Sequence, residues 1–339
     1  MRRSAGSWLF LSIACLVSTA CQVISGLWSI DQNTGGASSG STGSETTTSS
    51  GGGSGSVAVV SSSSGSAGGG GPCDPSAPFG MPVPIDELNG DAQNTAARLT
   101  QNELVVFFAQ GPAGVPSDLF HAERASKADP FSNLTPIAGL NTVAVEGKPS
   151  ATADLARLYF HRNLLPTAGS SYDIQVSFRD PGLSEYVTAT PLGPPVNDGN
   201  HWNQDPFVSP DGAELYFTSS RGTGFNTPEI FLATGLDAMS GSFSSVTKVA
   251  AGTQGVFNDS PVVSADGLTL YFGSGTGTET TVYVAHRPTK QDPYVLLGSH
   301  AELLMTNART EPSWISPDQC TLYLFSNRTL GLQIFRASR

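Results

Sequence analysis

Asp205-Pro206-Phe207-Val208-Ser209-Pro210-Asp211-Gly212, followed by Leu215-Tyr216-Phe217 and then Ser219-Ser220-Arg221, is the stretch on which the fold turns. Ser-Pro-Asp-Gly is a tight turn, because Pro presets φ and Gly accepts a positive φ. The apolar residues before the turn are a short strand. Leu-Tyr-Phe after it is apolar enough to be buried on both faces. Two strands joined this way cannot cover themselves, so the rest of the chain must supply similar units.

It does. The same pattern returns as Asp259-Ser260-Pro261-Val262-Val263-Ser264-Ala265-Asp266-Gly267 before Leu270-Tyr271-Phe272. It returns again as Glu311-Pro312-Ser313-Trp314-Ile315-Ser316-Pro317-Asp318 before Leu322-Tyr323-Leu324 and Ser326-Asn327-Arg328. Two degenerate copies come first: Ala153-Asp154 before Leu158-Tyr159-Phe160, and Gln101-Asn102 before Val106-Phe107-Phe108. The equivalent positions Phe108, Phe160, Phe217, Phe272 and Leu324 are separated by 52, 57, 55 and 52 residues. A fixed period of this size suits one four-stranded blade per repeat. Third strands follow at Ile230-Phe231-Leu232, Val282-Tyr283-Val284 and Ile334-Phe335-Arg336, with weaker outer strands at 243–249 and 294–297. The expected fold is all-β: a five-bladed β-propeller over residues 73–339.

Ser-Pro-Asp-Gly, an aliphatic-aromatic strand and a Ser-x-Arg stretch together resemble the WD40-like propeller repeat of the TolB family. The resemblance implies a propeller, and its members more often carry six or seven blades. Here the count closes at five. The fifth copy stops at Arg339 directly after its third strand, and residues 81–88 (Met-Pro-Val-Pro-Ile-Asp-Glu-Leu) form a strand with no blade of its own. Pairing the two would complete the ring and remove an exposed sheet edge. Cys73 precedes this latch and Cys320 lies in the first turn of the last blade, so a disulfide between them would pin the closure; two unpaired thiols are the alternative.

Ahead of the repeats the chain changes character. Arg2 and Arg3, an apolar run over Trp8–Val17 and Ser18-Thr19-Ala20-Cys21 read as an export leader over residues 1–20, too short to span a bilayer. The Cys after small residues resembles the lipobox of bacterial lipoproteins, which implies lipidation at Cys21, although Ser18 stands where that family prefers Leu; Cys15 is the competing position. Residues 21–72 then hold a tract almost wholly of Gly, Ser, Thr and Ala, which cannot bury enough apolar surface to offset its ordering entropy. It reads as a flexible tether, and ~40 such residues have a root-mean-square reach of roughly 35 Å. The chain is therefore expected at the bacterial cell envelope, lipid-anchored at the outer membrane on its periplasmic or surface face, and monomeric. With 13% charged residues and a formal net charge of −11, it lacks the basic stripe of a nucleic-acid binder, and membrane contact is expected through the lipid alone.

Asp205, Asp259 and Glu311 precede the first strand in consecutive repeats and should face one mouth of the central channel. Five-bladed glycosidases place three carboxylates around such a mouth, one as acid and one as base or nucleophile. Recurrence at one repeat position reads instead as architecture: Asp205 with Arg221, and Glu311 with Arg328, as ion pairs within a blade. The blade of Asp259 offers Gly275 where the others have Arg. His201 and Trp202 enter the third blade at the same mouth and suit sugar or peptide recognition, or packing between blades. The five His residues share no metal-ligand spacing, and the Gly-rich loops lack the Lys of a P-loop, so neither metal nor cofactor is expected. The expectation at this level is a non-catalytic scaffold, not an enzyme, that binds an envelope protein or glycan. The alternative is a glycoside hydrolase or lyase using the mouth carboxylates.

Overall fold

The computed structural model describes residues 73–339 apart from 91, 113–115, 164–171, 181, 183–184, 222–226, 253–255, 277 and 330. The leader, Cys15, Cys21 and the Gly/Ser-rich tract lie outside the described residues.

The described strands form five four-stranded antiparallel sheets, the blades of a five-bladed propeller. A short strand, β1 (Val83–Pro84), stands before the first blade. Blade one is β2 (Gln93–Leu99), β3 (Val105–Gly111), β4 (Asp118–Glu123) and β5 (Ser132–Pro136). Blade two is β6 (Val145–Ala151), β7 (Arg157–Asn163), β8 (Tyr172–Asp180) and β9 (Glu185–Pro191). Blade three is β10 (Asn203–Val208), β11 (Leu215–Ser219), β12 (Glu229–Leu236) and β13 (Phe243–Lys248). Blade four is β14 (Phe257–Val263), β15 (Thr269–Thr276), β16 (Glu279–His286) and β17 (Val295–Ser299). Blade five is β18 (Thr310–Ile315), β19 (Thr321–Thr329) and β20 (Gly331–Ser338), completed by β1 on its outer edge.

The turn that identifies the repeat is built by its own side chains. Ser209 Oγ donates to Asp211 Oδ1 at 2.6 Å, while Asp211 Oδ1 accepts the Ala213 N–H at 3.0 Å and Ser209 Oγ accepts the Glu214 N–H at 2.9 Å. The same three bonds recur around Ser264 and Asp266, and around Ser316 and Asp318. They recur as well around Thr152 and Asp154, and around Thr100 and Asn102. The two degenerate copies are thus chemically intact: a hydroxyl and an Asx side chain two residues apart are what the turn requires.

Each second strand then buries the aromatic pair that set the period. Phe108, Phe160, Phe217, Phe272 and Leu324 are fully buried, and so are Tyr159, Tyr216, Tyr271 and Tyr323 beside four of them. Adjacent strand residues point to opposite faces, so each blade presents a large side chain to both of its neighbours. The tyrosine hydroxyls find partners in the next blade: Tyr216 reaches Tyr294 Oη at 3.1 Å and accepts from Arg287 at 3.1 Å. Tyr159 donates to Gly241 O at 3.1 Å.

Closure brings the two ends of the folded region together. Val83 pairs with Arg336 and Pro84 with Phe335, and the Ile85 N–H continues to Ile334 O at 3.1 Å. Gly80 N–H donates to Ser338 O at 2.8 Å. Cys73 is disulfide-bonded to Cys320 across 247 positions of sequence, with their Cα atoms 6.2 Å apart.

Candidate active site

The innermost strand of every blade carries a bulge, and the bulges create the site. Pairing skips between Thr95 and Arg98, Gly147 and Ser150, Gln204 and Phe207, Asp259 and Val262, and Pro312 and Trp314. The first bulged residue takes a positive φ in four blades: 56° at Ala96, 52° at Lys148, 56° at Asp205 and 51° at Ser260. Pro312, whose ring forbids a positive φ, holds this place in the fifth. A bulge re-aims side chains that a flat strand would alternate, so two successive positions serve the axis of the ring.

This register corrects the expectation of a recurring acid. Asp259 and Glu311 occupy the position held elsewhere by Thr95, Gly147 and Gln204, the last residue paired before, or next to, the skip. Asp205 stands one residue further on, in the place of Ala96, Lys148, Ser260 and Pro312. The acid recurs at one position in two blades only, and the third carboxylate belongs to a different position. The carboxylates come from two registers and meet because the blades converge.

They meet around Lys148 and Ser260. Ser260 Oγ lies 2.7 Å from Glu311 Oε2 and 3.3 Å from Asp205 Oδ2. Lys148 Nζ bonds Ser260 Oγ at 2.7 Å and forms ion pairs with Glu311 at 3.4 Å and Asp205 at 3.6 Å. Arg309 donates from Nε to Glu311 Oε1 at 2.7 Å, again from Nη2 to the same oxygen, and lies 3.5 Å from Asp259 Oδ2. His161 Nδ1 accepts the backbone N–H of Asp205 at 3.2 Å. Burial pulls the His161 pKa down, which favours the neutral ring, and the same Nδ1 lies 3.5 Å from Asp205 Oδ1.

The three carboxyl groups are 2%, 4% and 0% exposed at Asp205, Asp259 and Glu311, yet they differ in protonation. Burial alone would raise all three pKa values. At Asp205 burial is the largest single influence, but Lys148, His161 and Arg98 together outweigh it and the pKa falls below the ordinary carboxylate value. At Glu311, Arg309 and then Lys148 do the same. At Asp259 burial is reinforced by the charge of Glu311, Arg309 compensates only in part, and the pKa is pushed well above the ordinary value. Asp259 is therefore the carboxyl group that keeps a proton when the other two have lost theirs. Its Oδ1 is buried without a hydrogen-bond partner. Gly273 packs closely against that oxygen: a Cβ there would stand 2.6 Å from Asp259 Oδ1 and 2.9 Å from Glu311 Cγ, so only glycine fits. Arg309, 37% exposed, is the member of the cluster that reaches solvent.

The other expected mouth residues are architectural or lie apart. Arg221 does not pair with Asp205: it donates to Pro195 O at 2.9 Å, to Val196 O and to Asn203 Oδ1 at 3.0 Å. Arg328 does not pair with Glu311: it donates to Leu303 O at 3.0 Å and Thr310 Oγ1 at 3.2 Å. Both tie a blade to the loop entering it, and the counterpart in blade four is Thr276, one residue past Gly275. Ion pairs within a blade form elsewhere, as between Arg162 and Glu146 at 2.8 Å. His201 pairs with Asp198 at 2.8 Å, and Trp202 is half-buried, its N–H donating to Ser220 Oγ and its carbonyl accepting the Ser220 N–H. Sequence reasoning missed Lys148, Ser260 and Arg309. Lys148 and Ser260 are legible only once the repeats are aligned residue by residue, which places both beneath Asp205.

Among the described residues, the His, Cys, Asp and Glu side chains grouped closely enough to share a metal are Cys73, Asp318 and Cys320, and the two sulfurs are bonded to each other. A cavity of about 370 Å³ between blades one and two, lined by Phe107, His121, Ile137, Arg179 and Tyr186 among others, shares no residue with the carboxylate cluster.

The sequence matches no protein-family model and no curated protein. Solved structures do match the fold. TolB from Acinetobacter baumannii is 15% identical with a TM-score of 0.46, over 75% of this chain and 56% of that one, so the chain spans little more than half its length. The GH43_1 enzyme from Xanthomonas citri, complexed with xylotriose, is 14% identical with a TM-score of 0.52, over 76% and 89%. The RS223 β-xylosidase is 13% identical with a TM-score of 0.51, over 76% and 94%. At these identities the likeness is one of fold. It nevertheless overturns the expectation of a non-catalytic scaffold that is no enzyme. The five-bladed ring is shared, over nearly the whole length of each, with glycoside hydrolases, and this ring gathers three carboxyl groups of unequal protonation where a repeated structural acid was expected.

Proposed function

We propose that the propeller is a glycoside hydrolase with Asp259 as its proton donor and Asp205 as its base. The observation that supports this reading is the split protonation of carboxyl groups from successive blades inside one buried cluster. Hydrolysis of a glycosidic bond needs one carboxyl group that still holds a proton at working pH and one that does not. Asp259 would protonate the leaving oxygen as the C–O bond breaks. Asp205 would take a proton from the water whose oxygen attacks the anomeric carbon. Glu311 is a positioning residue: bound to Arg309, Lys148 and Ser260, it keeps Asp259 protonated by its charge. Substrate would approach the cluster from the side of Arg309, with its exposed guanidinium swinging aside. The export leader and Cys21 lipobox support an enzyme tethered at the cell envelope, which would meet its glycan outside the cytoplasm.

The test is release of p-nitrophenol from a panel of aryl xylosides, arabinosides and other glycosides, and cleavage of xylotriose, by wild type and Asp259→Asn. Loss of a general acid should lower turnover roughly 10²–10⁴-fold, with the near-UV circular dichroism unchanged. Equal hydrolysis by the variant, or no release from any glycoside by wild type, would overturn the reading.

A further inference from the structure

Two positions past the first bulged residue of each inner strand, the blades contribute Arg98, Ser150, Phe207, Val262 and Trp314. Arg98 is the charged member of this layer and is 3% exposed. Its Nε, Nη1 and Nη2 are all buried without a hydrogen-bond partner. The guanidinium lies 5.2 Å from the ring centroid of Phe207, a contact that leaves the donors in its plane unanswered. A buried guanidinium with none of its donors matched is costly, since both the charge and its N–H groups have left water.

The same layer contains a cavity of about 20 Å³ lined by Arg98, Ser150, Phe207 and Trp314, together with Phe107 and Val208. A single water needs at least roughly 10–15 Å³ measured this way, so the space holds one small sphere and no more. Ser150 Oγ already accepts the Val208 N–H at 3.0 Å, which leaves its own proton to donate.

Charge decides what that sphere is. Arg309 is matched by Glu311 and Lys148 by Asp205, while Asp259 holds its proton and His161 is neutral. Arg98 is left over. Burial lowers its pKa to about 9, opposed by the charge of Asp205, so it remains a cation at neutral pH. Among the described residues Arg98 forms no ion pair with a carboxylate, and Asp205 answers its charge only at a distance.

We propose that the cavity beside Arg98 binds one small monovalent inorganic anion of the halide class, held by the guanidinium and the Ser150 hydroxyl. The site lies outside the hydrolytic residues and stands whether or not the cluster cleaves glycosides.

Crystals of the folded protein soaked in bromide should show one anomalous peak within hydrogen-bond distance of Arg98. In solution, chloride or bromide should raise the melting temperature by about 3 °C over gluconate at equal ionic strength, because gluconate is too large for the cavity. Arg98→Met should lose both the peak and the salt-specific difference, and Arg98→Lys should keep the charge and a weakened preference for halide. No peak in wild type, or equal melting in chloride and gluconate, would overturn the site. Neither readout involves hydrolysis, so failure here and failure of the hydrolase reading are separable.

Discussion

Asp259 and Glu311 hold the same place in consecutive blades and share one guanidinium, Arg309, yet one keeps its proton and the other does not. The asymmetry lies in the second cation. Lys148, from a blade across the ring, reaches Glu311 at 3.4 Å, whereas at Asp259 its charge is the smallest of the influences and Arg309 is the main cation.

That difference sets how stability varies with pH. A carboxyl group whose pKa is raised on folding makes the native state progressively less favourable as pH climbs from the unfolded value, near 4, through the folded one. Asp259→Asn removes this penalty, so it should raise the melting temperature at pH 7 and leave it unchanged near pH 3. Asp205, whose pKa is lowered, contributes stability above the unfolded value that is lost as pH falls through the folded one. Asp205→Asn should cost roughly 3 kcal/mol at pH 7, because Lys148 loses a buried partner. Thermal melts of the three proteins between pH 3 and 8 check both signs.

Catalysis should report the coupling between the two acids. The charge of Glu311 helps hold the proton on Asp259. Glu311→Gln should therefore move the alkaline limb of the pH–rate profile to lower pH, while simple loss of structure would reduce the rate at every pH alike. A profile of unchanged shape would remove Glu311 from its positioning role.

The disulfide closes a loop of 247 positions. In the chain-entropy model a loop this long is worth about 5.5 kcal/mol. Cys73→Ser with Cys320→Ser should lower denaturant stability by up to that amount and make the variant, unlike the wild type, insensitive to reductant. Urea unfolding with and without reductant measures it.

Tyr216 joins blade three to blade four through Tyr294 and Arg287. Tyr216→Phe keeps the ring and deletes the hydroxyl, leaving Arg287 Nη2 with only its long contacts to Glu214 at 3.4 Å. The expected cost is about 1–3 kcal/mol, read by denaturant unfolding. Tyr159→Phe, which frees only a backbone carbonyl, should cost less.

The ring was legible because its elements are local. A hydroxyl–Asx turn and an aromatic pair repeat along the chain, and even Thr100 and Asn102 obey the chemistry after losing the recognisable motif. The meeting of the three carboxyl groups was half legible. Asp205, Asp259 and Glu311 stand out in the sequence, but their relative register depends on bulges that only pairing reveals. Lys148 was hidden for the same reason: it carries a cation to the axis from a degenerate repeat, and its partners lie 57 and 163 residues away. Arg221 and Arg328 misled because a cation near an acid in sequence is equally suited to carbonyl oxygens, and the loop entering each blade supplies them.

The order of attachments at the closure also fixes how the ring bears a load. Tension on the chain anywhere before Cys73 reaches the Cys73–Cys320 bond first and passes into the turn between β18 and β19. The two-residue β1 ladder, further along the chain, carries none of it. Once the bond is reduced, the same tension falls on that ladder end-on and can peel it one pair at a time. Oxidation thus converts a zipper into a hook, and the redox state of two sulfurs sets the force at which the ring opens.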